Sequence, residues 1–207
     1  MSKKHPFDGL VIKGSKAPIG EVKNNIEVKF NDDIIEQYIP VWNTVEAPKG
    51  IKMLALIMAV KEGFIDNPGT KNDSRSYKYN NPGNIGNTDS GANVKLPTLK
   101  AGIEKQISFL TGIANGENKL YPVGKIKTLK PYYSPEIAKN KKTYQLEPYC
   151  PGYVFEPYTG RLDQFIKIYS TGARQKNTYL SLIISYFKNM GYVITEATTL
   201  KDLLNIK

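Results

Sequence analysis

The amino-acid sequence predicts an α+β fold that is mainly α-helical. Apolar residues recur at helical spacing in several segments, which is typical of helices that bury one face. Between two of these segments, residues 65–98 are rich in Asn, Gly, Asp, Ser and Pro, which favour turns. A hydrophobic fraction of 40% in a chain of 207 residues is enough for a core without covalent cross-links. We therefore expect packed helices and a small β-hairpin.

The first part of the chain, residues 1–46, differs from the rest. Apolar and polar residues alternate over 26–30, which predicts a short strand. Asp32 is placed to cap a helix, and Pro40 predicts that this helix ends or bends early. We interpret 1–46 as an N-terminal extension that packs on the main domain or docks on a partner, and 47–207 as the main domain.

The main domain opens with two helices whose ends are marked by capping residues. The first begins at Pro48, because the N–H that proline lacks would be unpaired at a helix start, and it runs to about Glu62. Gly63 is suited to close it. Thr98 is placed to cap the second helix, which Gly116 stops.

The remaining segments alternate between irregular and helical. Residues 65–98 hold too many turn formers for a helix, and we expect an exposed polar hairpin there. Residues 121–158 carry seven tyrosines and six prolines, which predict an irregular segment. Thr159 is placed to cap a third helix. A fourth, over about 177–189, is apolar nearly all round, so it should be the central buried helix, and Gly191 ends it.

The composition excludes several kinds of chemistry. Cys150 is the single cysteine, so the chain cannot form an internal disulfide or a Cys-rich metal site. His5 is the single histidine, which argues against Ser-His-Asp or Cys-His hydrolysis and against most zinc enzymes. Catalysis must then use carboxylates, Lys, Tyr, hydroxyls or backbone groups. We expect neither a metal nor an organic cofactor.

Charge and hydropathy restrict the partners. The start of the chain has no apolar segment typical of a signal peptide, and no apolar run is long enough to span a membrane. We expect synthesis in the cytoplasm without a signal peptide, and no membrane insertion. The net charge of +10 favours polyanionic partners, such as nucleic acids, anionic lipids or the acidic polymers of a cell envelope.

Glu62 is the carboxylate most suited to catalysis. It continues the apolar stripe of its helix, four residues after Met58, and precedes a polar loop. A carboxyl group at the border of a core is expected to have a raised pKa, and the negative helix C-terminus acts in the same direction. A glycosidase acid needs this property, because it must be protonated near neutral pH. The same pattern also fits an ordinary surface glutamate before a capping glycine.

The loop after Glu62 contains Asn-Asn-Pro-Gly-Asn at 80–84. Asparagine amides both donate and accept hydrogen bonds, so they match the hydroxyl and acetamido groups of sugars. A polar loop beside a helix-end carboxyl group is the arrangement that a sugar cleft needs. The alternative is a plain surface turn, for which this sequence is equally suited.

Together these elements resemble the lysozyme-like domains of bacteriophage peptidoglycan-degrading proteins. The resemblance covers roughly residues 48–195 and rests on three segments: Ala-Val-Lys-Glu-Gly-Phe at 59–64, Ser-Arg-Ser-Tyr at 74–77 and Asn-Asn-Pro-Gly-Asn-Ile at 80–85. It implies a two-lobed lysozyme-like domain in which a small hairpin flanks the cleft. It also implies that Glu62 is the catalytic acid and that peptidoglycan is the substrate.

The resemblance assigns further residues to substrate binding. Near Glu62 they are Tyr77, Asn80, Asn81 and Asn84. The segments that contain Tyr169 and Tyr179 are similar to the C-terminal half of the same family, which extends the substrate-binding set to these two tyrosines. The source implied is a phage, with the protein acting on the cell wall either as a released endolysin or as a virion component that contacts other virion proteins.

The sequence departs from the expected pattern in its second catalytic group, because no motif singles out another carboxylate. Asp66, Asp73 and Asp89 all lie in the loop region. We rank Asp89 first, since a hairpin would return it towards the cleft, and Thr88 is the alternative group for holding a water molecule. A hydrolase needs such a partner for its acid.

Three other interpretations stay open. A lytic transglycosylase needs one glutamate only, because a hydroxyl of the sugar attacks intramolecularly and gives an anhydro end. A virion structural protein could keep the fold without the activity. A nucleic-acid-binding protein would fit the charge and the lysines between tyrosines, but the basic residues are spread along the chain and no nucleic-acid motif appears. We therefore expect no specific nucleic-acid partner.

Overall fold

The computed structural model describes residues 32–65, 74–86, 94–124, 126–127, 154–169 and 173–206. Most of the described chain is helical, which confirms the mainly α prediction. The helices are α1 (Asp32–Thr44), α2 (Lys49–Lys61), α3 (Arg75–Lys78), α4 (Leu99–Ala114), α5 (Leu162–Tyr169), α6 (Ala173–Asn189) and α7 (Leu200–Leu203). Within these residues no helix has both the length and the apolar character needed to cross a membrane.

The two strands of the described chain lie outside the stretch in which we expected a hairpin. β1 (Ile126–Lys127) pairs antiparallel with β2 (Val154–Pro157), where the sequence predicted an irregular segment. The described parts of the expected hairpin, 74–86 and 94–98, consist of turns and of α3. The sequence predicted that this stretch as a whole is not a helix, but one helical turn does form in it, because the Ser74 hydroxyl accepts the Tyr77 N–H at 3.2 Å and caps α3.

The described residues divide into two compact units. The first unit contains those of 32–47, 52–108 and 185–193, and the second contains those of 48–51, 109–184 and 194–206. Each has a buried apolar core. Buried side chains of the first unit include Tyr38, Leu54, Met58, Ile103 and Phe187, and those of the second include Leu110, Tyr158, Phe165, Ile183 and Leu200.

Three predicted helix ends are confirmed, and all three are built in the same way. Gly63, Gly116 and Gly191 follow α2, α4 and α6 with φ angles of 74°, 76° and 88°. In each case the glycine N–H and the next N–H donate to carbonyls of the last helical turn. This is the Schellman motif, in which a glycine adopts the left-handed conformation that other residues resist.

The sequence predicted that α1 ends or bends early because of Pro40; the helix does not end there but continues to Thr44. The proline removes one backbone donor, yet tertiary packing on both sides of it outweighs this loss. Tyr38 and Trp42 are buried, and the Trp42 indole N–H donates to the Lys52 carbonyl at 3.0 Å. The expected strand at 26–30 lies outside the described residues.

Two further helix starts differ from the prediction. α5 begins at Leu162, and Thr159 does not cap it, since the Thr159 N–H and hydroxyl both donate to the Gln164 side-chain oxygen. α6 begins at Ala173 rather than near Asn177. Among the described side chains, α2 is more enclosed than α6, which was predicted to be the central buried helix. Every side chain from Met53 to Ala59 is at most 1% exposed, whereas Ser185 and Lys188 of α6 are exposed.

Candidate active site

Glu62 lies directly after the last residue of the buried helix α2. Its N–H donates to the Met58 carbonyl at 2.8 Å, so it continues the helical hydrogen bonding. The Phe64 N–H donates to the Ala59 carbonyl at 2.9 Å, and the buried Phe64 side chain anchors the chain beyond the glycine. The backbone of Glu62 is therefore fixed on both sides, while its side chain is half-buried.

A second contact holds the same backbone from the following segment. The Ser76 hydroxyl donates to the Glu62 carbonyl at 2.8 Å and lies 3.1 Å from the Ser74 hydroxyl. Ser76 is 2% exposed. Carbonyls in the last turn of a helix lack helical partners, and this hydroxyl supplies one. Helix α3 is thus joined to the end of α2 at the residue that carries the carboxyl group.

Asn84 reaches the carboxyl group itself. Its side-chain N–H donates to Glu62 Oε2 at 3.4 Å, a long hydrogen bond between residues 22 positions apart. Asn84 has a φ angle of 52°, a left-handed conformation that asparagine tolerates better than most residues. The backbone of the turn therefore aims this amide at Glu62, and the two predicted site residues are brought together.

The side chains of the other two asparagines, Asn80 and Asn81, stabilise the backbone conformation of the loop. Asn81 is fully buried: its Oδ1 accepts the Ile85 N–H at 3.0 Å, and its Nδ2 donates to the carbonyls of Ile85 at 3.0 Å and Val94 at 3.3 Å. Asn80 Nδ2 donates to the Leu96 carbonyl at 3.2 Å. These bonds tie the returning chain at 94–96 to the loop, so both side chains act on the backbone.

Aromatic packing supports the loop from the core. The Tyr77 ring is half-buried and lies 5.5 Å from the Phe64 ring, which lies 5.7 Å from that of Tyr38. Burial raises the pKa of the Tyr38 hydroxyl far above its usual value, so this tyrosine is neutral. Phe64, directly after Gly63, and Tyr77, three residues before Asn80, are thereby in contact through their rings.

The residue before Glu62 carries the opposite charge. Lys61 is half-buried, and burial lowers the pKa of its ammonium group below the usual value, while the Glu62 carboxylate acts in the opposite direction. The two charges at the end of α2 are therefore coupled. A substitution that neutralises Glu62 will also change the electrostatic environment of Lys61.

Helix α4 provides the surface on which the loop rests, and the sequence did not identify its two key residues. A side chain at Gly102 would place its Cβ 1.8 Å from the Asn80 carbonyl oxygen, so the loop backbone lies directly on the helix. Gln106, one turn later, is fully buried and donates to the Ala55 carbonyl of α2 at 2.8 Å. A glycine inside a helical pattern and a glutamine on its apolar stripe were the available signals.

Of the other predicted site residues, two belong to the second unit and two lie outside the described residues. Tyr169 and Tyr179 belong to the second unit, where their rings meet edge to face at 6.3 Å and Tyr169 stacks on Phe165 at 5.5 Å. Asp89 and Thr88 lie outside the described residues, as do Asp66 and Asp73. The tyrosine-rich segment is described only at its ends, where Tyr121 and Tyr158 are buried. In the described part of the chain, no group of three or more His, Cys, Asp or Glu residues is placed to hold a metal ion.

No family model, no curated protein and no solved structure matches the chain. The functional assignment therefore rests on the geometry around Glu62. What the geometry offers is one carboxyl group, held by a rigid helix end, with an amide directed at it from a polar loop. Such a group can deliver or accept a proton at a position that the helix end fixes.

Proposed function

We propose that this protein cleaves the glycan strands of peptidoglycan, with Glu62 as the general acid. The contact between Asn84 Nδ2 and Glu62 Oε2, at 3.4 Å, carries the proposal. It joins the two elements that the family resemblance singles out, the helix-end glutamate and the asparagine loop. A structural glutamate before a capping glycine would need no amide directed at its carboxyl group.

The way in which the surrounding backbone holds Glu62 suits acid catalysis. Cleavage of a glycosidic bond needs a proton on the leaving oxygen, delivered from a group that keeps its position as the bond breaks. Glu62 follows a helix whose side chains from Met53 to Ala59 are enclosed, and its own carbonyl accepts a hydrogen bond from Ser76. The Asn84 amide can donate to the carboxylate, or accept from the carboxylic acid after a flip, so it can hold both protonation states.

The surroundings of Glu62 favour a carbohydrate polymer as substrate. Tyr77 and Asn84 are half-buried, so part of each side chain faces solvent near the acid. An aromatic ring packs on the apolar face of a sugar, and an amide pairs with hydroxyl or acetamido groups. The net charge of +10 favours an anionic envelope. The proposal includes a lysozyme-like two-lobed domain with a hairpin at its cleft, in a phage endolysin or a virion-borne lysin.

The test compares Glu62→Gln with Glu117→Gln. Both residues lie at glycine-terminated helix ends, but Glu117 is exposed in the second unit. We expect Glu62→Gln to fold normally and to lose about 10²–10⁴-fold in the rate of wall clearing, because an amide cannot deliver a proton. Glu117→Gln should clear purified wall at the wild-type rate. Equal rates for wild type and a folded Glu62→Gln protein would refute the assignment.

A lytic transglycosylase is the second candidate, and one observation favours it. The polar contact described at the Glu62 carboxyl group comes from an amide, Asn84 Nδ2, and not from a second carboxyl group. A single carboxyl group suffices if a hydroxyl of the substrate is the nucleophile, and the products then carry anhydro ends. Hydrolysis through Asp89 or Thr88 gives reducing ends instead. Asp89→Asn should impair only the hydrolytic route.

A further inference from the structure

Gln106 is a polar side chain in an apolar position. It lies on the face of α4 that also buries Ile103 and Ile107, and it is fully enclosed. Its Nε2 donates to the Ala55 carbonyl at 2.8 Å, whereas its Oε1 has no hydrogen-bond partner among the described residues. A buried acceptor without a partner is unfavourable for folding, so an apolar residue of the same size would be the better choice for stability alone.

The same side chain is packed against the loop that carries Asn84. A Cβ at Gly83 would lie 2.7–2.8 Å from Gln106 Cγ, Cδ and Nε2, so a side chain at this position of the loop would displace the glutamine side chain. Gly83 directly precedes Asn84, and Ala55 lies on the helix that ends at Glu62. One amide therefore contacts the backbone of α2 on one side and the asparagine loop on the other.

We infer that Gln106 is a positioning residue that sets Asn84 against Glu62. The hydrogen bond of Gln106 holds α4 against α2, and its contact with Gly83 sets the distance between α4 and the asparagine loop. Displacement of either contact moves the Asn84 amide relative to the carboxyl group, whose 3.4 Å separation leaves little room for a further increase. The consequence for catalysis rests on the proposed function; the positioning itself does not.

The experiment compares Gln106→Met with Ile103→Met. Methionine keeps the volume of glutamine but removes both polar atoms, and Ile103 is an equally buried position on the same face. We expect Gln106→Met to unfold at the wild-type denaturant midpoint or above it. Its kcat should fall by about tenfold to hundredfold with KM unchanged, since a displaced group costs the chemical step more than binding. Ile103→Met should keep the wild-type kcat.

A nuclear magnetic resonance measurement provides a readout that does not depend on activity. In an otherwise wild-type chain, Glu62→Gln should shift the side-chain amide signal of Asn84, because the two groups are in contact. In the Gln106→Met background the same substitution should produce a clearly smaller shift. In the Ile103→Met background the shift should be of wild-type size.

The outcomes separate the two claims. If the wild-type protein does not cleave wall, the proposed function fails, and the amide shift alone decides the role of Gln106. An undiminished shift in the Gln106→Met background, or a wild-type kcat in that variant, overturns the positioning role. A strong loss of stability in Gln106→Met also overturns it, since Gln106 would then be a structural residue.

Discussion

Helices α2 and α4 end in the same backbone motif, but their surroundings differ. Gly63 and Gly116 have φ angles of 74° and 76°, and a Cβ on either would lie 3.6 Å from a side-chain atom of a neighbouring residue, Ser74 or Val123. At the end of α2, Ser76 and Asn84 contact the glutamate before the glycine. At the end of α4, the glutamate after the glycine is exposed. The two helix ends therefore share a capping motif, and the contact between a distant loop and the Glu62 carboxyl group distinguishes the end of α2.

The largest effect on activity is expected at Asn84, whose amide distinguishes the end of α2 from the end of α4. Asn80 and Asn84 both have a φ angle of 52°, so glycine relieves the same backbone strain at either position. Asn84→Gly removes the amide that contacts Glu62, whereas Asn80→Gly removes a contact with the Leu96 carbonyl. We expect Asn84→Gly to lower kcat by about tenfold to hundredfold, because the acid loses its orienting partner.

Asn80→Gly is the matched control, and it should reduce activity much less at a similar loss of stability. Initial rates of wall clearing, measured beside denaturant unfolding, separate the two effects. Equal activities in the two variants would show that the Asn84 amide contributes only to the loop backbone.

A smaller effect is expected at the glycines themselves. Alanine at Gly63 or Gly116 must adopt a left-handed conformation, which costs about 1–2 kcal/mol in the free energy of unfolding. Because the surroundings of both Cβ atoms are alike, the two losses of stability should agree, as measured by urea unfolding. Gly63→Ala should also lower the rate of wall clearing several-fold, since it shifts the backbone that holds the Glu62 side chain. An equal activity loss in Gly116→Ala would contradict a special role for the α2 end.

The helix ends were predictable because their signals are local. A glycine after an apolar stripe identifies the Schellman position regardless of what surrounds it, and Gly63, Gly116 and Gly191 were found in this way. The single turn of α3 and the pairing of β1 with β2 were missed. The strand pairing depends on residues distant in sequence, whereas α3 combines a local cap, Ser74, with a distant contact from Ser76 to Glu62.

The roles of the three asparagines were not separable from sequence. Asn81 and Asn84 are the same residue type in one short loop, yet Asn81 is enclosed and bonded to backbone while Asn84 reaches Glu62. The difference arises from the left-handed turn at Asn84 and from the close approach of α4 at Gly102. The approach of α4 is a tertiary contact, and the sequence does not indicate that Gln106 Oε1 lacks a hydrogen-bond partner among the described residues.

Mass spectrometry of the soluble products from purified peptidoglycan tests the central claim most directly. The wild-type protein and Glu117→Gln should release fragments with newly formed glycan ends, reducing after hydrolysis or anhydro after transglycosylation. Glu62→Gln, folded to the same extent, should release none above background. Fragments with intact glycan strands and cleaved peptides, or the same glycan ends from Glu62→Gln as from wild type, would contradict the assignment of Glu62 as the acid that cleaves the strand.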